Sequence, residues 1–142
     1  MHYFNRIIII VIVGFTVLAG CSEAQTDSTH QAHELKNGPL PVVPKDVQTP
    51  NELENGEGLF NNNCARCHGP QGSGTTQGPP LVHKIYEPSH HADFAFQRAA
   101  AQGVRAHHWK FGNMPKIEGI AQEEVAEIIR YVRWLQQQAG IF

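Results

Sequence analysis

Two thiols and an imidazole stand within one short run, Cys64-Ala65-Arg66-Cys67-His68. Cys-x-x-Cys followed directly by His is the attachment signature of c-type haem. On one helical turn each thiol can add to a haem vinyl group, while the next residue swings its imidazole under the iron. The run would then supply two thioether bonds and one axial ligand. A dithiol redox pair shares the cysteine spacing, but it expects a βαβ setting that this chain does not present. A zinc site can combine Cys64 and Cys67 with two of the nine histidines. No second ligand pair stands at finger or ribbon spacing, however.

The elements that would position such a group read as helices. A first helix is predicted from Glu52 to about Cys64, with Glu52, Glu54 and Glu57 near its positive N-terminal end. Gly56, Leu59 and Phe60 form a narrow packing stripe on it. Glycine costs helix stability, so Gly56 implies a close backbone approach. A second helix is predicted from about Ala92 to Gln102, with Phe96, Ala99 and Ala100 on one side and Gly103 as its stop. The last, about Gln122 to Gln138, repeats Val125, Ile128, Ile129, Val132 and Leu135 at helical spacing. Glu123 and Glu124 open it, and Gly140 follows its end. The stretches between are loops by composition: Gly69 to Leu81, and the region of His107, His108, Trp109 and Phe111 to Pro115. The expected fold is all-α, about three helices in one domain at residues 52–142. So small a core is marginal alone, and a covalently held macrocycle would supply its missing apolar centre.

The chain upstream has a different character. Ile7 to Ala19 is an apolar run behind Arg6, too short to span a bilayer and suited to a signal peptide over residues 1–20. It ends in Leu18-Ala19-Gly20-Cys21, which resembles the lipobox of bacterial lipoproteins and implies lipidation at Cys21. With Cys21 lipidated and Cys64 and Cys67 on haem, none of the three cysteines is left for a disulfide. Residues 21–51 are polar, then rich in proline (Pro39, Pro41, Pro44, Pro50), and read as a tether. His30 and His33 within it read as solvated linker residues. Removing residues 1–20 takes away Arg6 and no acid, leaving 10 basic against 13 acidic residues and a formal charge of −3. Nucleic-acid binding would need a basic patch, which is missing. The apolar run and the lipobox resemblance together imply an exported protein, held on a membrane by lipid and facing the periplasm or the exterior.

From Glu52 to Phe142 the chain resembles the class I mono-haem cytochromes c. That family places a glycine and an aromatic residue eight and four positions before the first haem cysteine, where this chain has Gly56 and Phe60. Its C-terminal helix crosses the first helix through an aliphatic and an aromatic residue, matched by Ile128 and Tyr131. The resemblance implies that the Pro79 carbonyl accepts a hydrogen bond from the haem-ligating imidazole, His68, and that Leu81 lines the pocket. It also implies that Met114, 46 residues after His68 and followed by Pro115, is the sixth iron ligand. One departure is Ala121, where a serine or similar cap usually opens the last helix. Another is the density of histidine at positions 83, 90, 91, 107 and 108. Some of these would bond a haem propionate alongside Trp109 or Lys110, and others would be exposed.

The resulting expectation is a carrier of single electrons between redox proteins, with one haem c and no catalytic residues, the iron metal held by His68 and Met114. A haem enzyme or gas sensor would instead need an open or displaceable sixth position. A third reading is a copper- or zinc-binding accessory protein using the histidine-rich loops, which show no coordination spacing along the chain.

Overall fold

The computed structural model describes residues 42–44 and 46–142. The signal segment, Cys21, His30 and His33 lie outside the described residues.

A 3-10 turn at Asn51–Leu53 leads into α1 (Glu54–Asn63), so the expected start at Glu52 falls inside that turn. Cys64 interrupts the helix at φ −118°, and the haem motif forms its own turn, α2 (Ala65–His68). This separate turn makes four helices where about three were expected. Two further 3-10 turns, Pro70–Gly72 and Lys84–Tyr86, shape the long loop that follows. The third helix, α3 (Asp93–Gln102), begins one residue later than predicted because Ala92 is extended. The last, α4 (Gln122–Gln138), has the predicted bounds. Ala121 has no side-chain acceptor to cap it, but Glu124 Oε2 accepts from Ala121 N at 2.8 Å. Half of a capping box therefore holds this helix start. Among the described residues there is no strand beyond one isolated bridge, Val104 to Met114, and no helix long and apolar enough to cross a membrane.

The core forms where α1 crosses α4. Phe60 and Tyr131 are fully buried, their ring centroids 5.6 Å apart and tilted by 55°. Ile128, Val132, Leu135, Ile141, Leu81 and Val82 join them in this cluster. Val43 is buried in it and Val47 packs against it, so the packed unit reaches upstream of residue 52. A smaller cluster of Ala100, Val125 and Ile129 joins α3 to α4.

Gly56 makes the crossing possible. A Cβ there would lie 2.4 Å from the Glu127 carbonyl oxygen and 3.1 Å from Tyr131 Cβ. The obstacle is backbone, which cannot rotate aside. Gly56→Ala should therefore destabilise the haem-loaded protein by roughly 2–3 kcal/mol through overpacking, despite the ~1 kcal/mol that alanine gains in a helix. Denaturant unfolding of the two proteins measures this, and equal midpoints would refute so close a crossing.

Two polar residues of α4 pin the long loop onto the core. Gln136, almost fully buried, donates from Nε2 to the carbonyls of Leu81 (2.9 Å) and Tyr86 (3.0 Å). Arg133 donates to Tyr86 O (2.6 Å), Gln136 Oε1 (2.7 Å), Asp93 Oδ1 (2.8 Å) and the His91 carbonyl. Its guanidinium also lies over the Phe96 ring, 4.9 Å from the centroid, a cation–π arrangement. These bonds set where residues 81–91 stand.

Candidate haem-binding site

A cavity of about 570 Å³ opens between the haem motif, α3, α4 and the loop after α3, well within the roughly 300–1,000 Å³ of cofactor pockets. Cys64, Cys67 and His68 line one side of it, and Met114 and Pro115 are in its wall. Phe96, Ile128, Ile129 and Leu81 make much of the lining apolar.

His68 is oriented by the loop that follows it. Its Nδ1 lies 2.8 Å from the Pro79 carbonyl oxygen. A carbonyl only accepts, so Nδ1 carries the hydrogen and Nε2 keeps the lone pair. Burial pushes the imidazole pKa below its usual value, partly opposed by the Pro79 bond, so the neutral ring is favoured. The loop is seated tightly to achieve this. A Cβ at Gly78 would lie 2.8 Å from the Cys67 carbonyl oxygen, and Thr75 Oγ1 donates to that same oxygen at 2.6 Å. Leu81 N donates to Gly72 O at 2.8 Å, which brings Leu81 to the cavity wall. Within the motif, the Cys64 thiol is pushed up to about 11, first by burial and then by Cys67.

Met114 is held by backbone. After Gly103 turns the chain at φ +76°, Val104 and Met114 exchange both backbone hydrogen bonds, 2.9 Å each. A Cβ at Gly103 would lie 2.5 Å from the Met114 carbonyl oxygen. Residues 105–113 thus form a loop closed at its neck. Asn113 Oδ1 tightens it by accepting from Ala106 N at 3.0 Å, and Ile117 N ties the exit to Ala100 O at 2.8 Å.

One wall atom remains unsatisfied. Trp109 lines the cavity, and its indole Nε1 is buried without a hydrogen-bond partner among the described residues. It lies near Tyr86, whose phenol burial pushes up to about 12 while the indole opposes that shift, but the pair does not reach hydrogen-bonding geometry. A buried donor of this kind is costly unless something accepts from it. A haem propionate is such an acceptor. Paired thiols, a nitrogen lone pair, a thioether and an apolar enclosure with one waiting donor all fit haem.

A family model for cytochrome c matches residues 53–136. The chain belongs to the cytochrome c family. No match was found among curated proteins or among solved structures. Membership brings covalently bound haem c, and with it the chemistry of an electron carrier.

In this cytochrome c the five histidines of the folded part other than His68 take distinct places. His83 is buried, stacks edge-on to Trp109 at 5.1 Å, and accepts from Ile85 N at its Nδ1. Cavity-lining positions belong to His91, His107 and His108, whereas His83, His90 and Lys110 are outside the lining. Sequence reasoning did not single out Arg133, Gln136 or Thr75. For Gln136 a signal existed: it continues the stripe of Ile129 and Val132 at helical spacing, and a polar residue there asks for buried partners. Arg133 and Thr75 act through backbone carbonyls, which no residue pattern marks.

Proposed function

We propose that this cytochrome c is a membrane-tethered carrier of single electrons between redox proteins, with His68 and Met114 as the two axial iron ligands. The observation that carries the reading is that both side chains line one cavity while His68 commits Nδ1 to Pro79. Bound haem supplies a one-electron iron couple.

The chain's own residues do the rest. Cys64 and Cys67 hold the group by thioether bonds, so it is not lost with each change of charge. His68 donates the Nε2 lone pair, and the Pro79 carbonyl fixes the ring and raises its basicity. Met114 offers a soft sulfur, which favours the reduced state and raises the potential. Leu81, Phe96 and Ile128 exclude water and act in the same direction. With His68 and Met114 both committed to the iron, no substrate would reach the metal, and electrons would enter and leave near the attachment motif, where Arg66 is exposed. The visible spectrum of purified protein tests this. Low-spin, six-coordinate spectra are expected in both oxidation states, whereas a high-spin ferric form would favour a haem enzyme or gas sensor.

The tether reading is supported by the apolar run and by the small residues preceding Cys21. A diacylglycerol on that thiol, joined by an amide-linked chain, would supply the two or more hydrocarbon chains that stable anchoring needs. Cys21→Ser should lose the acyl chains, read by mass spectrometry, and keep an unchanged haem spectrum. Recovery of unacylated wild-type protein in the soluble exported fraction would refute the anchor.

A further inference from the structure

At the edge of the haem cavity, whose lining includes His91, His107 and His108, four imidazoles from two loops meet. His90 and His91 come from the turn that precedes α3, and His107 and His108 from the loop clamped by Val104 and Met114. The ring centroids of His90, His91 and His108 form a triangle with sides of 4.7, 5.2 and 5.2 Å. One nitrogen from each lies within 4.8 Å of the other two. We propose that His90, His91 and His108 form a binding site for one divalent transition-metal ion, Cu(II) or Zn(II), on the rim of the haem cavity.

Packing does not account for the convergence, because His90 and His108 are exposed. The middle ligand is already oriented. His91 Nδ1 lies 2.6 Å from the Ile85 carbonyl oxygen, so it donates there and leaves Nε2 with its lone pair. A histidine that spends one nitrogen on a backbone carbonyl and offers the other is the usual arrangement at a metal centre. Its backbone is fixed as well. His91 N donates to Glu87 O at 2.8 Å, and the His91 carbonyl accepts from Arg133. Across the gap, the neck and the Asn113 bond hold the loop that carries His108.

Around an ion with metal–nitrogen bonds of roughly 2.0–2.1 Å, tetrahedral ligand nitrogens stand about 3.3 Å apart. The exposed rings need to close by at most about 1.5 Å from the observed limit, within reach of side-chain rotation. Three neutral imidazoles with no carboxylate select copper and zinc over magnesium or calcium. Three protein ligands also leave a fourth position open to water or another small ligand. His107 packs on His108 with centroids 4.3 Å apart, but it turns Nδ1 to Arg105 O at 2.8 Å and stands outside the triad. None of the triad belongs to the proposed haem ligand pair; metal uptake is read by dialysis and the ligand pair by the visible spectrum, so the failure of one reading is distinguishable from that of the other.

The test uses full-length ferric haem protein without an affinity tag, titrated with copper(II) or zinc(II) chloride and followed by equilibrium dialysis and, for copper, electron paramagnetic resonance. One saturable equivalent of either ion is expected, with imidazole-nitrogen hyperfine structure on copper. His90→Ala and His108→Ala should each weaken binding by at least about tenfold, as loss of a ligand exceeds loss of its support. His90 is exposed and outside the cavity lining, so the haem spectrum of His90→Ala should stay unchanged and report an intact fold. A His30→Ala, His33→Ala double variant should bind as the wild type does. The proposal is overturned by no saturable binding, by binding that survives the His90→Ala, His108→Ala pair, or by binding lost with the tether histidines. A cluster that serves only the haem carboxylates would give the first of these outcomes.

Discussion

Met114→Ala is expected to abolish the weak long-wavelength band of ferric iron–thioether ligation and to let carbon monoxide or cyanide bind readily. The potential should fall on the order of 0.1–0.2 V, a modest part of the roughly 0.8 V that axial ligands span. The fold should survive, because the neck of the loop is closed by the backbone of Met114 and not by its side chain. Asn113 and Ala106 still hold the loop interior. Spectra, redox titration and ligand binding on the same preparation check all three effects. An unchanged spectrum would give the sixth position to another group. Of the five histidines other than His68, His91, His107 and His108 line the cavity, and alanine variants of these would identify it.

Replacing both Cys64 and Cys67 by alanine should leave haem extractable by acidified organic solvent and should remove the cooperative melt of the haem-free chain. The cavity explains the size of the effect. A largely apolar space of about 570 Å³ left without its occupant removes much of the packing of a domain whose whole stability is only about 5–15 kcal/mol. The orphaned Trp109 donor adds to the cost of an empty site. Solvent extraction and thermal unfolding followed by circular dichroism are the measurements. A compact haem-free domain with a sharp transition would show that α1 and α4 suffice alone.

The sequence by itself determined what short-range chemistry encodes. The attachment motif is local because two thioethers and one ligand must come from a single turn. The α4 helix is local because its apolar residues recur over 17 residues with acidic residues in the first turn. Gly56 was readable because only a close backbone neighbour motivates glycine inside a helix, and Glu127 is that neighbour. Pro79 and Leu81 line the cavity.

Other features depend on long-range packing, which leaves no period in the chain. Arg133 and Gln136 settle the path of residues 81–91 by bonding to backbone carbonyls 42 to 55 positions away, and a carbonyl looks the same in every residue. Val43 joins the core although its surroundings in sequence are those of a linker. The Val104–Met114 clamp pairs two residues whose side chains say nothing of it. The histidines show the difference most plainly. Along the chain His90, His91 and His108 have no coordination spacing, because the ligand triangle is closed by two loops. Only the folding of the long loop onto α4 and the pinching of the Met114 loop at its neck bring those nitrogens within 4.8 Å of one another.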